Sequence, residues 1–172
     1  MNVMKEIGIE KITLNIGVGE PGEKLDKAMK LLNTLSESKS VKTVTMKRIP
    51  DWGIRAGLPI AAKVTIRGKK AEELLSRMLQ AVNNMIKERK FDKNGNFSFG
   101  LDEYIKIPDS KYDPDVGIIG LEVAVTLRRK GYRVLKRRLK PGKIKATHKI
   151  TKEEGINFIK NKFGIKLEEE EE

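Results

Sequence analysis

The sequence predicts an α+β fold: a single domain over residues 1–172, in which helices cover one face of a largely antiparallel, five-stranded sheet and the other face is exposed and basic. Three observations predict this class. Segments of two-residue hydrophobic alternation are mixed with helical stripes, no repeat or linker divides the chain, and the later strands lack the intervening helices that a parallel sheet needs. With 38% hydrophobic residues, the chain is long enough to bury one core.

The first half of the chain predicts three strands and one helix. Ile12, Leu14 and Ile16 alternate with polar residues, which indicates a half-buried strand. Apolar positions at helical spacing then run from Leu25 to Leu35, with Pro21 suited to the first turn. The segments VKTVTM and AAKVTIRG predict the second and third strands. Between them, RIPDWGIRAGLP contains prolines and glycines that break regular structure, so it predicts a long exposed loop.

The second half predicts two helices and two strands. A strong apolar stripe predicts a helix from about Lys69 to Lys90. The alternating segments FSFGLDEYI and GLEVAVTLRR predict the fourth and fifth strands. Thr151 and Glu154 have the spacing of a capping box, which predicts a last helix that ends near Gly164. The acidic residues 168–172 are expected to form a solvated, disordered tail.

Positive charge is concentrated in one region. Counting from Arg128 to Lys149 gives eleven Lys and Arg and no acid, and extending the window from Val123 to Lys152 gives twelve, which equals the formal net charge of +12. Clustered Lys and Arg attract phosphate and steer association. Three classes of partner fit this charge: nucleic acid, an anionic membrane surface and an acidic protein. Residues 130–148 are therefore interpreted as a basic arm, and its part up to Thr147 is expected to be mobile until it binds a polyanion.

Composition argues against several other classes of function. No apolar run approaches the roughly 18 residues of a spanning helix, and the first residues lack the apolar stretch of a signal peptide, so a cytosolic protein is expected. The chain has no cysteine and one histidine, His148, which removes the usual metal clusters and catalytic constellations. The glycines of NIGVGEPGEK match a dinucleotide-binding spacing, but Glu20 would repel a pyrophosphate and Pro21 lacks an amide donor. We therefore predict no enzyme, cofactor, metal or small-molecule substrate.

The alternation also identifies the residues on the exposed sheet face. They are Thr, Asn, Lys and Arg, which suit sugar and phosphate contacts with structured RNA better than base stacking. Any half-exposed sheet can carry Thr and Lys outward, and that alternative stays open on these residues alone. Phe97 and Phe99 are assigned to the core by their phase with Leu101. The outward residues are Lys11, Thr13, Asn15, Thr43, Thr45, Lys47, Lys63, Thr65, Arg67, Thr126 and Arg128.

Five stretches together resemble a known family. They are TLNIGVGE, DWGIRAGLPIAAKVTIRG, FDKNGNFSFGLDEYIKIP, KYDPDVGIIGLEVAVTL and HKITKEEGINFIKNKFGI. In this order they are similar to the universal 5S-rRNA-binding family numbered five among large-subunit ribosomal proteins. The resemblance runs from about Lys11 to Leu167, and the GYRVLKRR segment resembles the archaeal form.

The resemblance implies a structural protein of the central protuberance that binds 5S rRNA. It places Asn15 and Thr65 on the 5S-binding surface, and the turn that carries Lys39 beside it, although ESKS stands where the family reads Gly-Gln-Lys-Pro. It also implies contacts of one loop with P-site tRNA, and of a second loop with the small-subunit head ribosomal protein number thirteen across a subunit bridge. The first loop comprises Asp51, Trp52, Gly53, Ile54, Arg55, Ala56 and Gly57, and the second includes Asp109, Lys111, Tyr112, Asp113 and Asp115.

The basic arm is then interpreted as a contact with 5S or large-subunit rRNA. A membrane-surface helix is disfavoured because Gly131, Pro141 and Gly142 interrupt the segment, and a binder of acidic proteins would not need the basic sheet. The alternative that stays open is an RNA-binding or RNA-chaperone protein outside the ribosome. The expected contacts of the arm are Arg128, Arg129, Lys130, Arg133, Lys136, Arg137, Arg138, Lys140, Lys143 and Lys145.

Overall fold

A five-stranded antiparallel sheet organises the chain, which confirms the predicted fold class. The computed structural model describes residues 2–168, with only the backbone of Glu168. The strands of this sheet are β1 Ile7–Gly17, β2 Val41–Val44, β3 Pro59–Ile66, β5 Phe97–Leu101 and β6 Leu121–Arg129. They lie in the order β2-β3-β1-β6-β5, and each neighbouring pair is antiparallel. The long central strand β1 therefore pairs with β3 on one side and with β6 on the other.

Within residues 2–168, four α-helices accompany the sheet. Their bounds are α1 Glu23–Ser36, α2 Lys69–Ala81, α3 Arg133–Lys136 and α4 Lys152–Phe163. The capping box predicted for α4 is present, since the Thr151 hydroxyl accepts from the amide of Glu154 and the Glu154 carboxylate accepts from the amide of Thr151. Gly164 ends this helix in the left-handed conformation, as its sequence position predicts.

The core lies between the sheet and the helices. Ile12, Leu14 and Ile16 of β1 are buried, and so are Leu32 of α1 and Leu75 of α2. Removing each such side chain from water contributes about 1.5–3 kcal/mol, which is why the inward half of the alternation determines how the sheet is oriented. Phe97 and Phe99 also belong to this core, with ring centroids 6.2 Å apart, so their assignment to the interior is confirmed.

The second helix is shorter than predicted. It ends at Ala81, and Asn83 and Asn84 follow with φ of 56° and 55°, a left-handed conformation that asparagine adopts more readily than most residues. The chain then forms β4, Met85–Lys87, which pairs in parallel with β7, Lys166–Glu168. The apolar stripe runs on past the helix because Ile86 is buried from a strand. Predicting helix to Lys90 was therefore wrong, and this small second sheet was not predicted.

Further differences concern the ends and turns. Strand β2 stops at Val44, so Thr45 and Lys47 lie in the loop and not on a strand. Glu168 belongs to β7, whereas the rest of the predicted acidic tail, residues 169–172, lies outside the described residues. Gly19 and Gly22 have φ of 87° and 135°, the tight turn expected for the NIGVGEPGEK motif. Over residues 2–168, no helix is long and apolar enough to cross a membrane.

Candidate nucleic-acid interface

Polar side chains on the outer face of the sheet come together by strand register. Thr13 is directly opposite Thr65, Asn15 is opposite Lys63, and Lys11 is opposite Thr126. Directly paired residues of antiparallel strands project from the same face, so these three pairs form one continuous polar strip. The sequence-predicted residues of β1 and β3 are thus brought together on the outer face, and Arg67 follows β3 in an exposed position.

An open depression of about 530 Å³ adjoins this strip. The small residues Ser98, Gly100 and Ala124 form part of its lining, beside Asn15, and Lys90 contributes a cation. Because these side chains are short, a partner can approach the backbone of β5 and β6 closely. The depression therefore suits a sugar–phosphate chain, which needs donors and positive charge more than a deep apolar cleft.

An acid on the outer face was missed in the sequence. Glu122 pairs with Asn15 in register, and the Asn15 amide Nδ2 donates to its Oε2 over 3.1 Å. The sequence did contain a signal for this acid, because Glu122 alternates in step with Thr126 and Arg128, which were predicted to lie on the outer face. Its carboxylate orients the Asn15 amide and offers an acceptor for a ribose 2′-hydroxyl, but it repels phosphate.

Not every residue predicted for this face can contact a partner. Thr43 pairs with Ala61, so its side chain lies on the outer side of the sheet. Its hydroxyl oxygen is nevertheless buried, without a hydrogen-bond partner. The Thr45 hydroxyl donates to the Lys47 carbonyl over 3.0 Å and accepts from the Lys47 amide, which forms a local turn. The prediction that the alternation continues through Thr45 and Lys47 was therefore wrong. Lys39 is exposed in the turn after α1.

Arg129 is buried, so the expectation that it contacts RNA was wrong. Its side chain is 5% exposed, and its guanidinium lies 2.6 Å from Glu154 Oε1 and donates to the Lys149 carbonyl over 3.4 Å. The reason is register: Arg129 pairs with Ile7, on the inner face, whereas Arg128 pairs with Gly8 and is exposed. Burial alone would raise the pKa of Glu154, but hydrogen bonds from Thr151 and Arg129 outweigh it and lower the pKa.

Acids from the body of the domain pair with the basic arm. The Lys130 ammonium lies 2.7 Å from Glu6 Oε2, and the hydrogen bond and charge of that lysine lower the Glu6 pKa. Lys136 pairs with Glu10, which occupies the bulge in β1. The arm therefore carries less free charge than its sequence suggests. The cations of the arm left exposed include Arg133, Arg137, Arg138, Lys140, Lys143 and Lys145.

The loop between β2 and β3 projects an aromatic and a cation. Trp52 is 73% exposed, and Arg55 is exposed as well. Ile54, which was grouped with the partner-facing residues, is buried, and two backbone hydrogen bonds of 2.9 and 3.0 Å join it to Ile49. Ile54 therefore anchors the loop, and this part of the prediction is corrected. Asp51, Gly53, Ala56 and Gly57 are exposed.

The acidic loop is partly tied to α1. Lys30 lies 2.8 Å from Asp113 and 3.8 Å from Asp115, and the hydrogen bond from Lys30 lowers the pKa of Asp113. The Tyr104 hydroxyl also accepts from the Asp113 amide over 3.0 Å. Asp109, Lys111 and Tyr112 remain accessible on the loop. Within residues 2–168, no group of three or more His, Asp or Glu side chains is placed to hold a metal ion.

Comparison with known proteins gives matches over nearly the whole chain. The C-terminal part of the ribosomal L5 protein family matches residues 59–158, and Ribosomal protein L5 matches residues 2–55. The chain is 48% identical to "Large ribosomal subunit protein uL5" of Methanosphaera stadtmanae, over 98% of this chain and 100% of that one. It is 52% identical to the protein of the same name from Nanoarchaeum equitans, over 95% and 97% of the two chains, and 47% identical to that from Sulfurisphaera tokodaii, over 98% and 96%.

Proposed function

The chain belongs to the uL5 family of large-subunit ribosomal proteins, in its archaeal form, and from this premise we propose that its outer sheet face binds 5S rRNA. Family membership makes it a structural ribosomal protein of the cytoplasm that associates with rRNA and is not an enzyme. The proposal concerns which RNA it binds and with which surface.

One observation carries the assignment to the sheet. Asn15 and Thr65, the two positions that the family resemblance connects with 5S rRNA, lie on the same polar strip, since Asn15 adjoins Lys63 and Thr65 adjoins Thr13. Hydroxyl, amide and ammonium donors in this arrangement suit ribose and phosphate oxygens, and such contacts position a protein on folded RNA without reading its sequence. The exposed cations of the arm add the electrostatic part of the affinity, toward 5S or large-subunit rRNA.

The two loops extend the proposal to other partners in the ribosome. The exposed Trp52 and Arg55 support a contact of the first loop with P-site tRNA, because an indole stacks on bases and a guanidinium pairs with phosphate. The accessible Asp109, Lys111 and Tyr112 support a bridge to the small-subunit head ribosomal protein number thirteen, since an acidic surface attracts a basic protein.

Binding to a 5S rRNA transcript tests the central claim. Replacing Thr65 by Val removes one outward hydroxyl, and we expect the affinity to fall by about 1–2 kcal/mol while thermal stability stays nearly unchanged. Thr34→Val is the matched control, because Thr34 is exposed on α1 and its hydroxyl donates to the Lys30 carbonyl. Equal affinities of the two variants for 5S rRNA would remove Thr65 from the interface. Sequencing of the RNA that co-purifies with the protein gives an independent check, in which 5S rRNA should dominate.

A further inference from the structure

Glu122 lies in the middle of the outer sheet face. Strand register places it in a row of residues that crosses four strands, and a second row lies about 7 Å away, two residues along each strand. Directly paired residues project from the same side, so both rows belong to the surface that we propose for RNA. The first row consists of Lys63, Asn15, Glu122 and Gly100, and the second of Thr65, Thr13, Ala124 and Ser98.

Gly100 leaves the space beside Glu122 open. The backbone does not require glycine there, because β5 pairs with β6 without a bulge and Gly100 has no positive φ. A Cβ at this position would meet no atom within 4 Å, so packing does not require glycine either. Glycine inside a strand weakens the sheet, and it is found at bulges, at tight bends and where a ligand or another backbone approaches closely. The open depression, which both residues line, fits close approach of a partner.

The Glu122 carboxylate has acceptor capacity to spare. Its side chain is exposed, and Asn15 Nδ2 donates to one of its oxygens, Oε2, over 3.1 Å. Within residues 2–168, no other hydrogen-bond donor or ion-pair partner contacts this carboxylate. An ionised carboxylate accepts about four hydrogen bonds, so the Oε1 oxygen can accept from a ligand while Asn15 holds the group in place.

The chemistry of the RNA backbone identifies the group that Glu122 can bind. Its negative charge repels phosphate, so the carboxylate weakens binding unless the partner donates a hydrogen bond to it. Phosphate and the deoxyribose of a DNA chain have no such donor, whereas ribose has the 2′-hydroxyl. Bases have N–H donors as well, but neither row contains an aromatic side chain on which a splayed base could stack.

We propose that Glu122 makes the outer sheet face selective for ribose, by accepting a hydrogen bond from one 2′-hydroxyl of the RNA that lies over Gly100. The inference rests on the proposed 5S rRNA binding and names the chemical group that this surface recognises. Two cations flank the carboxylate and suit the neighbouring phosphates. Lys63 lies in the same row on the β3 side, and Lys90 lines the depression from the β5 side, since the next residue, Phe91, pairs with Phe97.

Interference by 2′-deoxy nucleotides in a 5S rRNA transcript tests the proposal. Transcripts with a few randomly placed 2′-deoxy nucleotides, each marked by a cleavable phosphorothioate, are separated into bound and free fractions, and cleavage maps the positions depleted from the bound fraction. Ribonucleotide phosphorothioates correct for the marker. With the unaltered protein, we expect at least one 2′-deoxy position to weaken binding roughly tenfold, because the hydrogen bond is to a charged acceptor. With Glu122→Met, which has no acceptor oxygen, that position should become neutral.

Glu73→Met is the matched control for the change in charge. Glu73 is exposed on α2, which packs against the inner face of the sheet, and its interference pattern should equal that of the unaltered protein. Gly100→Val gives a second test, because valine suits a strand but projects into the space over Gly100. Its affinity for 5S rRNA should fall several-fold, while its melting temperature should not fall.

The outcomes separate the two proposals. An interference pattern of Glu122→Met that equals that of the unaltered protein, or an unchanged affinity of Gly100→Val, would overturn the ribose contact alone. Failure of the unaltered protein to bind the 5S rRNA transcript would instead overturn the proposed function.

Discussion

Replacing Glu154 by Gln should destabilise the domain by removing the counter-charge of a buried arginine. Gln retains the shape of Glu and can replace it in a capping box, so the helix start is preserved. Arg129, at 5% exposure, then keeps a buried positive charge whose guanidinium still donates to the Lys149 carbonyl over 3.4 Å. The substitution therefore isolates the ion pair from the cap.

The magnitude follows from the unequal burial of the two partners. Breaking a fully buried pair costs about 3–5 kcal/mol, whereas an exposed pair contributes roughly 0–1 kcal/mol. Because the Glu154 side chain is 42% exposed, water screens its charge, and we expect a loss of about 1–3 kcal/mol. Glu153→Gln is the matched control: Glu153 is in the same first turn and exposed, so it loses a comparable interaction with the helix dipole of about 0.3–1 kcal/mol.

Thermal unfolding followed by circular dichroism measures the difference. At neutral pH the Glu154 variant should melt roughly 2–8 °C below the Glu153 variant. Since the folded pKa of Glu154 lies below its ordinary value of 4.5, the stabilisation is fully present above that pH and is lost as the pH falls through the folded pKa. The difference in melting temperature between wild type and the Glu154 variant should therefore disappear in acid. Equal melting temperatures of the two variants, or a gap unaffected by acid, would refute the reasoning.

Three further predictions concern the RNA-facing surfaces. Asn15→Ala should weaken 5S rRNA binding by about 1–2 kcal/mol, because it removes an amide from the polar strip and leaves the Glu122 carboxylate without that donor. The melting temperature should stay the same, and an unaltered affinity would contradict the prediction. Replacing residues 50–57 by a Gly-Ser linker should impair tRNA-dependent ribosome function but not folding or 5S affinity, whereas unfolding would show that the loop anchors the core. For the unaltered protein, the slope of log affinity against log salt should lie roughly between −4 and −6, and replacing Arg137, Arg138 and Lys140 with Ser should reduce its magnitude by about two. Filter binding at several salt concentrations checks this, and an unchanged slope would mean that the arm does not touch RNA.

Periodicity was sufficient for the order of the main strands along the chain and for the central residues of the outer sheet face. The alternation in β1 and β3 places Ile12 and Leu14 inside and Thr13 and Asn15 outside, and burial confirms that division. Local chemistry was equally informative at the start of α4, where Thr151 and Glu154 form the predicted cap. These features depend on residues close in sequence, so the sequence itself contains the signal.

Tertiary structure decided which charges are free to bind. Within its own segment the basic arm contains no acid, but Glu10 reaches Lys136 from 126 residues away, and Glu154 covers Arg129. The bulge at Glu10 shifts the alternation of inward and outward residues in β1, and no local sequence pattern predicts it. Likewise, β4 pairs with β7, a strand near the other end of the chain. Charge and periodicity are properties of a segment, whereas an ion pair or a strand pairing depends on distant segments that meet only after folding.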